Sequence, residues 1–295
     1  MKKIIFLITI LISIQSCQNS KDTSFKIGVI SDCQYCNCDV KWDRYYKESP
    51  KRLKEAVKTL NKDTLKYTIH LGDFIDKNFK SLDSILPTWQ NLKSPSYHVL
   101  GNHDFEVKDS LKKEVLKKLN IKNRYYSFIE NDWRFIVLDG NDLSFYGALT
   151  ETKKQQTDSI FDLLKDKDLP FVKKWNGALS NTQLKWIQKE LDKALEKNQK
   201  VAFYCHFPIF PIDQHTIWNR AQFLSVIKPY KNVKLFFNGH NHAGAYQEVD
   251  NVHYLTFKGM VDTENTSAFA TVNFDKDTVT INGFYREPSR KLVLK

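Results

Sequence analysis

Five short stretches of this 295-residue chain gather carboxylate, amide and imidazole groups at close spacing: Asp32-x-Gln34, Gly72-Asp73, Gly101-Asn102-His103-Asp104, the lone His206, and Gly239-His240-Asn241-His242. Oxygen and imidazole donors of this kind suit hard to borderline divalent cations. Each stretch also has an ordinary reading. An Asp after a strand is commonly a turn residue or a helix cap, and a single His such as His206 is more often structural than ligating. "GHNH" is harder to dismiss, because two imidazoles one residue apart can face one cavity, and "GNHD" is unusual enough to count by itself.

The elements that must position these groups follow from hydrophobic periodicity. "FKIGVISD" reads as a buried strand ending at Asp32, "KYTIHLGD" as a second strand and "SYHVLGNHD" as a third. Between the first two, Leu53, Ala56, Val57 and Leu60 share a helix face. "SLDSILPTWQNL" predicts a helix broken at Pro87. Strand and helix alternation implies parallel strands, and ligands at the C-terminal ends of parallel strands converge on one crevice. Farther on, "RYYSFIENDWRFIVLDG" reads as two antiparallel strands, "NTQLKWIQKELDKALEKN" as an amphipathic helix, and "KVAFYCHFPI" and "NVKLFFNGHNH" as strands ending in polar residues. "AGAYQEV", "VHYLTF", "SAFATVNF" and "TVTINGFY" predict an antiparallel meander. No linker interrupts residues 25–295, which read as one domain.

The series D-x-[HQ], GD, GNH[DE], H and GHxH resembles the calcineurin-like metallophosphoesterases from about Phe25 to His242. "GVISDCQY", "HLGDFID", "VLGNHDF", "WNGALSNTQLKWIQKEL", "HFPIFP" and "GHNHAGAYQEVDNVHYLTFKGMVDT" look more specifically like the manganese-dependent ADP-ribose/CDP-alcohol diphosphatases, to about residue 286. That resemblance implies an α/β fold, a four-layer α/β/β/α sandwich of two mixed sheets. It implies two divalent metal ions, one held by Asp32, Gln34, Asp73 and His242, the other by Asp73, Asn102, His206 and His240, with Asp73 bridging. Gln34 stands where much of the superfamily has His. An amide oxygen in place of a ring nitrogen hardens the site and tilts it toward Mn²⁺, with Mg²⁺ as the second candidate.

By the same resemblance His103 faces the scissile phosphate and stabilises charge or protonates the leaving oxygen. Asp104 would orient His103, or cap a helix in "VKDSLKKEVLKKL"; Asp76 reads as structural. The implied reaction is hydrolysis of the phosphoanhydride in a nucleoside diphosphate conjugate such as ADP-ribose or a CDP-alcohol. Alternatives are a phosphodiesterase, nuclease or phosphomonoesterase of the same superfamily, or a non-catalytic surface binding lipoprotein. Tyr35, Trp42, Phe105, Phe145 and Trp175 could stack on a base or simply pack. The resemblance thins at the lysine-rich segment after "GNHDF", which could border the substrate pocket, and at Tyr254, where a second His is common.

Asp32 and Gln34 occupy alternate positions and so share one side of an extended chain, which turns Cys33 toward the core. Cys36 and Cys38 lack a second pair at zinc-finger spacing, only Cys205 lying downstream. A disulfide from Cys33 or Cys205 to Cys36 or Cys38 is open.

At the N-terminus, two lysines precede an apolar run from Ile4 to Ile14 and then "ISIQSC". The pattern predicts a lipoprotein-type signal over residues 1–17, lipidation at Cys17, a tether over 18–24 and an exported, membrane-anchored protein of a bacterial envelope. With 41% hydrophobic and 27% charged residues, the composition excludes disorder. The net charge of +11 comes from lysines spread along amphipathic segments, so no dedicated nucleic-acid partner is expected.

Overall fold

A computed structural model describes residues 23–295. One six-stranded sheet runs in the order β14 (Arg290–Val293), β13 (Thr278–Tyr285), β12 (Ala268–Phe274), β1 (Phe25–Ile30), β2 (Thr68–His70), β3 (Ser96–His98). β1, β2 and β3 are parallel, as the alternation predicts, whereas β12 to β14 are antiparallel. The second six-stranded sheet runs β10 (Ala245–Val249), β11 (Val252–Thr256), β9 (Val233–Asn238), β8 (Lys200–Tyr204), β5 (Trp133–Val137), β4 (Tyr126–Glu130). Here β11, β9, β8 and β5 are parallel, and β10 and β4 close the edges antiparallel. A small hairpin joins β6 (Leu143–Ser144) to β7 (Gly177–Ala178).

Three apolar layers account for this stacking. Ile27, Val29 and Ile69 meet Phe135, Tyr204, Leu235 and Phe237 between the sheets. The opposite face of the first sheet, with Ile30 and Phe269, packs on α1 (Ser49–Leu60) and α2 (Ser81–Trp89) through Leu53, Leu60, Ile85 and Trp89. The outer face of the second sheet, with Val201, Phe203 and Phe236, packs on α5 (Asn181–Glu196) and α6 (Arg220–Ile227). The result is the α/β/β/α sandwich of two mixed sheets. Leu53, Ala56, Val57 and Leu60 are all buried, each large apolar side chain contributing about 1.5–3 kcal/mol. Tyr254, on β11, packs on Phe210 and Phe236 and is a core residue.

Two expectations change, and one further helix appears. α2 continues through Pro87, because the missing N–H lies in its last turn and the Asp83 carbonyl it frees is on an exposed residue that water can serve. The C-terminal strands are not one meander: β10 and β11 extend the second sheet and β12 to β14 the first. A helix that periodicity does not reveal, α4 (Glu151–Leu164), buries only Thr157 fully and rests Ile160, Phe161 and Leu164 on Phe171 and Trp218. The lysine-rich segment forms α3 (Lys112–Lys118).

Phe135 is the hub of the inter-sheet layer, its ring within 5.3–6.1 Å of Phe25, Tyr67, Phe128, Tyr204 and Phe274. Phe135→Ala is expected to lower unfolding free energy by about 3–5 kcal/mol, measured by urea denaturation.

Candidate metal centre

Strands β1, β2, β3, β8 and β9 end side by side, and their following loops carry the residues singled out above. The backbone there is unusual. Asp32 (φ 49°), Gln34 (45°), Asp73 (55°) and His240 (68°) are all left-handed, a conformation that non-glycine residues adopt only when the surroundings impose it. β1 stops at Ile30, so Asp32 and Gln34 share a side through this coiled loop and not through strand alternation. Backbone hydrogen bonds stitch the loops together: Gln34 N–H donates to the Asp73 carbonyl at 2.7 Å, Asp32 N–H to Gly72 at 3.2 Å, and Gly239 N–H to His206 at 3.1 Å. Glycine is needed at 72, where φ is +99° and a Cβ would stand 2.5 Å from His206 Nδ1. At 101 a Cβ would collide with the Asp73 carboxylate.

The side chains converge. Asp73, His206 and His240 each offer a ligand atom within 4.8 Å of the others. His206 Nε2 lies 3.1 Å from Asp73 Oδ2, and His242 Nε2 lies 3.4 Å from Asp32 Oδ1. Asp73 Oδ2, His206 Nε2, Asn102 Oδ1 and both amide atoms of Gln34 are buried without a hydrogen-bond partner among the described residues. Orphaned buried polar atoms are costly; four of these five, the Asp73, Asn102 and Gln34 oxygens and the His206 ring nitrogen, are ligand types for Mn²⁺ or Mg²⁺, a set that fits divalent cations. Burial pushes Asp32 upward, but the neighbouring His242 outweighs it and holds the carboxyl down to about 2.

Each imidazole is oriented by an acceptor on its other nitrogen. His206 Nδ1–H donates to the Leu71 carbonyl at 2.9 Å, leaving Nε2 toward Asp73. His242 Nδ1–H donates to Asp262 at 2.8 Å. His240 Nε2–H donates to Asn176 Oδ1 at 2.8 Å; the Asn176 amide is fixed because its Nδ2 donates to the carbonyls of Phe171, Gln214 and Thr216. Asp262 and Asn176 lie in "GMVDT" and "WNGALS", but nothing in either stretch announces a histidine partner 20 or 64 residues away.

His103 stands beside this group, its Nε2 4.0 Å from Asp73 Oδ2. Its Nδ1 contacts Glu106 Oε2 at 2.8 Å and Asp76 Oδ1 at 3.1 Å. Burial depresses its pKa, but Asp73, Asp76 and Glu106 together raise it to about 10. The expectation for Asp104 does not hold in either form. It neither touches His103 nor caps a helix: its carboxylate accepts the amides of Gly101, Asp73, Phe74 and Ile75 at 2.8–3.3 Å. Asp76, read as structural, and Glu106 hold the ring instead.

A cleft of about 420 Å³ opens over His103, with Trp42, Trp175, Lys41, Arg44, Tyr146 and His215 in its walls. Of the aromatic candidates only Trp42 and Trp175 reach it. Phe105 is core, Tyr35 packs on the helical side of the first sheet, and Phe145 leans on Phe161 and Trp218. α3 does not border it. Cys36 and Cys38 pair with each other, a partnership outside the pairings left open, while Cys33 and Cys205 are buried free thiols.

Removing the acceptor from His242 tests this architecture. Asp262→Ala is expected to weaken Mn²⁺ binding about 10–100-fold, measured by calorimetry on metal-stripped protein, with Asp262→Asn less affected.

A model of the family described as calcineurin-like phosphoesterase matches residues 25–244. The manganese-dependent ADP-ribose/CDP-alcohol diphosphatase of Mus musculus is 30% identical over 322 residues, covering 92% of this chain and 94% of that protein. The protein of the same name from Oryza sativa subsp. japonica is 29% identical, covering 90% and 92%. A solved dimetal phosphatase from Danio rerio aligns with a TM-score of 0.82 at 26% identity, covering 92% of this chain and 99% of that one. These findings correct the expectation of an exported bacterial lipoprotein, since the relatives matched along nine-tenths of the chain are eukaryotic proteins named for an enzyme activity. A lysine pair, an apolar run and a cysteine form a short local pattern that carries far less information than likeness along a whole chain. The signal, the lipidation site Cys17 and most of the tether lie outside the described residues, and no helix among the described residues is long and apolar enough to cross a membrane. The chain belongs to the calcineurin-like phosphoesterase family and is a dimetal phosphoesterase-type hydrolase.

Proposed function

We propose that the protein hydrolyses the phosphoanhydride of nucleoside diphosphate conjugates, of which ADP-ribose and CDP-alcohols are the candidates, releasing a nucleoside monophosphate. Four orphaned buried ligand atoms, from Gln34, Asp73, Asn102 and His206, carry the hydrolase reading. The relatives' names and the tryptophan- and cation-lined cleft support the substrate class. In this reading Asp32, Gln34, Asp73 and His242 hold one metal ion and Asp73, Asn102, His206 and His240 the other. When bound, two Mn²⁺ ions would supply charge for the phosphoryl oxygens and make hydroxide available near neutral pH.

The remaining work falls to side chains of this chain. Lys41 and Arg44, at the cleft with Trp42, attract the anionic diphosphate. Trp42, 73% exposed, and Trp175 offer apolar faces to a base. His103, kept protonated by the acids around it, stands at the cleft floor as the donor to the departing phosphate oxygen. Asp76 and Glu106 hold its ring, and Asp104 fixes the turns that carry Asp73 and Asn102 by accepting the amides of Asp73 and Gly101.

The test is product identification with metal-stripped protein supplied with Mn²⁺, Mg²⁺ or Zn²⁺ and given ADP-ribose, CDP-choline or an aryl phosphodiester. AMP or CMP release, greatest with Mn²⁺, is the expected outcome; turnover of the aryl ester alone would replace the proposal with a phosphodiesterase. His103→Ala is expected to keep metal content near two ions per chain while turnover falls by roughly two to four orders of magnitude. Gln34→His is expected to broaden metal use toward Zn²⁺, and an unchanged metal preference would remove the hardness argument.

A further inference from the structure

We propose that Asp76, His103 and Glu106 form a separate cation site in the wall of the cleft, taking one borderline divalent ion such as Zn²⁺ in addition to the two ions of the dinuclear centre. One ligand atom from each lies within 4.8 Å of the others. His103 Nδ1 is shared between Glu106 Oε2 at 2.8 Å and Asp76 Oδ1 at 3.1 Å. A ring nitrogen carries one hydrogen, so it cannot serve two carboxylates at full strength. Asp76 is 1% exposed, and its Oδ2 has no hydrogen-bond partner among the described residues. The Asp76 carboxylate, with one oxygen unpaired, the Glu106 carboxylate and the imidazole are ligand types for a borderline divalent ion.

A divalent ion in place of the Nδ1 proton would reach the ring and both carboxylates at once. Two carboxylates and one imidazole give three protein ligands, with the cleft side open for water, the coordination pattern of an accessible zinc site. The imidazole nitrogen tilts the preference toward Zn²⁺ over Mg²⁺. Asp76, His103 and Glu106 all line the cleft, so the ion enters from solvent. The site is distinct from the dinuclear centre because the His103 ring stands between them: Nε2 lies on the Asp73 side, 4.0 Å from Oδ2, and Nδ1 on the other. Ion and substrate therefore draw on one ring, and excess metal slows turnover. That last consequence rests on the role given to His103 under the proposed function; the binding itself does not.

The experiment titrates metal-stripped full-length protein with Zn²⁺, counting bound metal by mass spectrometry and following heat by calorimetry. The wild type is expected to take up two ions and then a weaker third. Glu106→Ala should keep the first two and lose the third by at least tenfold in affinity; the fold should tolerate this change, since the Glu106 side chain is 29% exposed. A wild-type titration that ends at two ions, or a third ion retained in Glu106→Ala, overturns the proposal. A single bound ion, lost in Glu106→Ala and kept in Asp73→Asn, would uphold this site and overturn the dinuclear assignment.

Discussion

A carboxylate taken out of water costs several kcal/mol unless its surroundings replace the lost hydration, and Asp73, 1% exposed, sits where the loops of both sheets meet. Its Oδ1 accepts the His103 amide at 2.8 Å, and its Oδ2 lies 3.1 Å from His206 Nε2. Its carbonyl accepts the Gln34 amide at 2.7 Å, and its own amide goes to Asp104. Three separate loops, those after β1, β3 and β8, are thus referenced to one residue. Asp104 is the counterpart of this arrangement: a buried acid that spends its oxygens on backbone amides and makes the turns around Asp73 rigid.

Rigidity matters because the conformations are unfavourable on their own. Left-handed backbone at a non-glycine residue costs of order 1–3 kcal/mol, and four of the seven proposed ligands adopt it. Two six-stranded sheets sharing a buried aromatic layer supply the stability that such loops consume. The strained residues lie at the ends of parallel strands, where the chain must leave the sheet abruptly and where the polar ends of several strands come together.

The histidines follow one rule with one exception. His206, His240 and His242 each give one nitrogen to a fixed acceptor, which leaves the other with a lone pair facing the carboxylates. His103 instead faces two acids across a single nitrogen. In the proposed reading three rings present a ring nitrogen to metal and the fourth donates a proton, so one residue type serves both purposes within one small volume.

Much of this was legible in the sequence. Residue types at strand ends were readable because apolar periodicity is local and because Asp, Gln, Asn and His carry their donor chemistry wherever they lie. The parallel pairing of β1, β2 and β3, the helices α1 and α5, and the meeting of Asp73, His206 and His240 follow from those two facts. Which acid holds His103 was decided only by the fold: Asp104 is adjacent in sequence but turns to the backbone, while Asp76, 27 residues earlier, reaches the ring. Asn176 and Asp262, the continuity of α2 through Pro87, the Cys36–Cys38 pairing and the division of the last strands between two sheets were likewise settled in three dimensions. The physical reason is the same in each case. The sequence determined what each residue can do; partners distant along the chain, and the geometry of a packed interior, determined which of those capacities each residue uses.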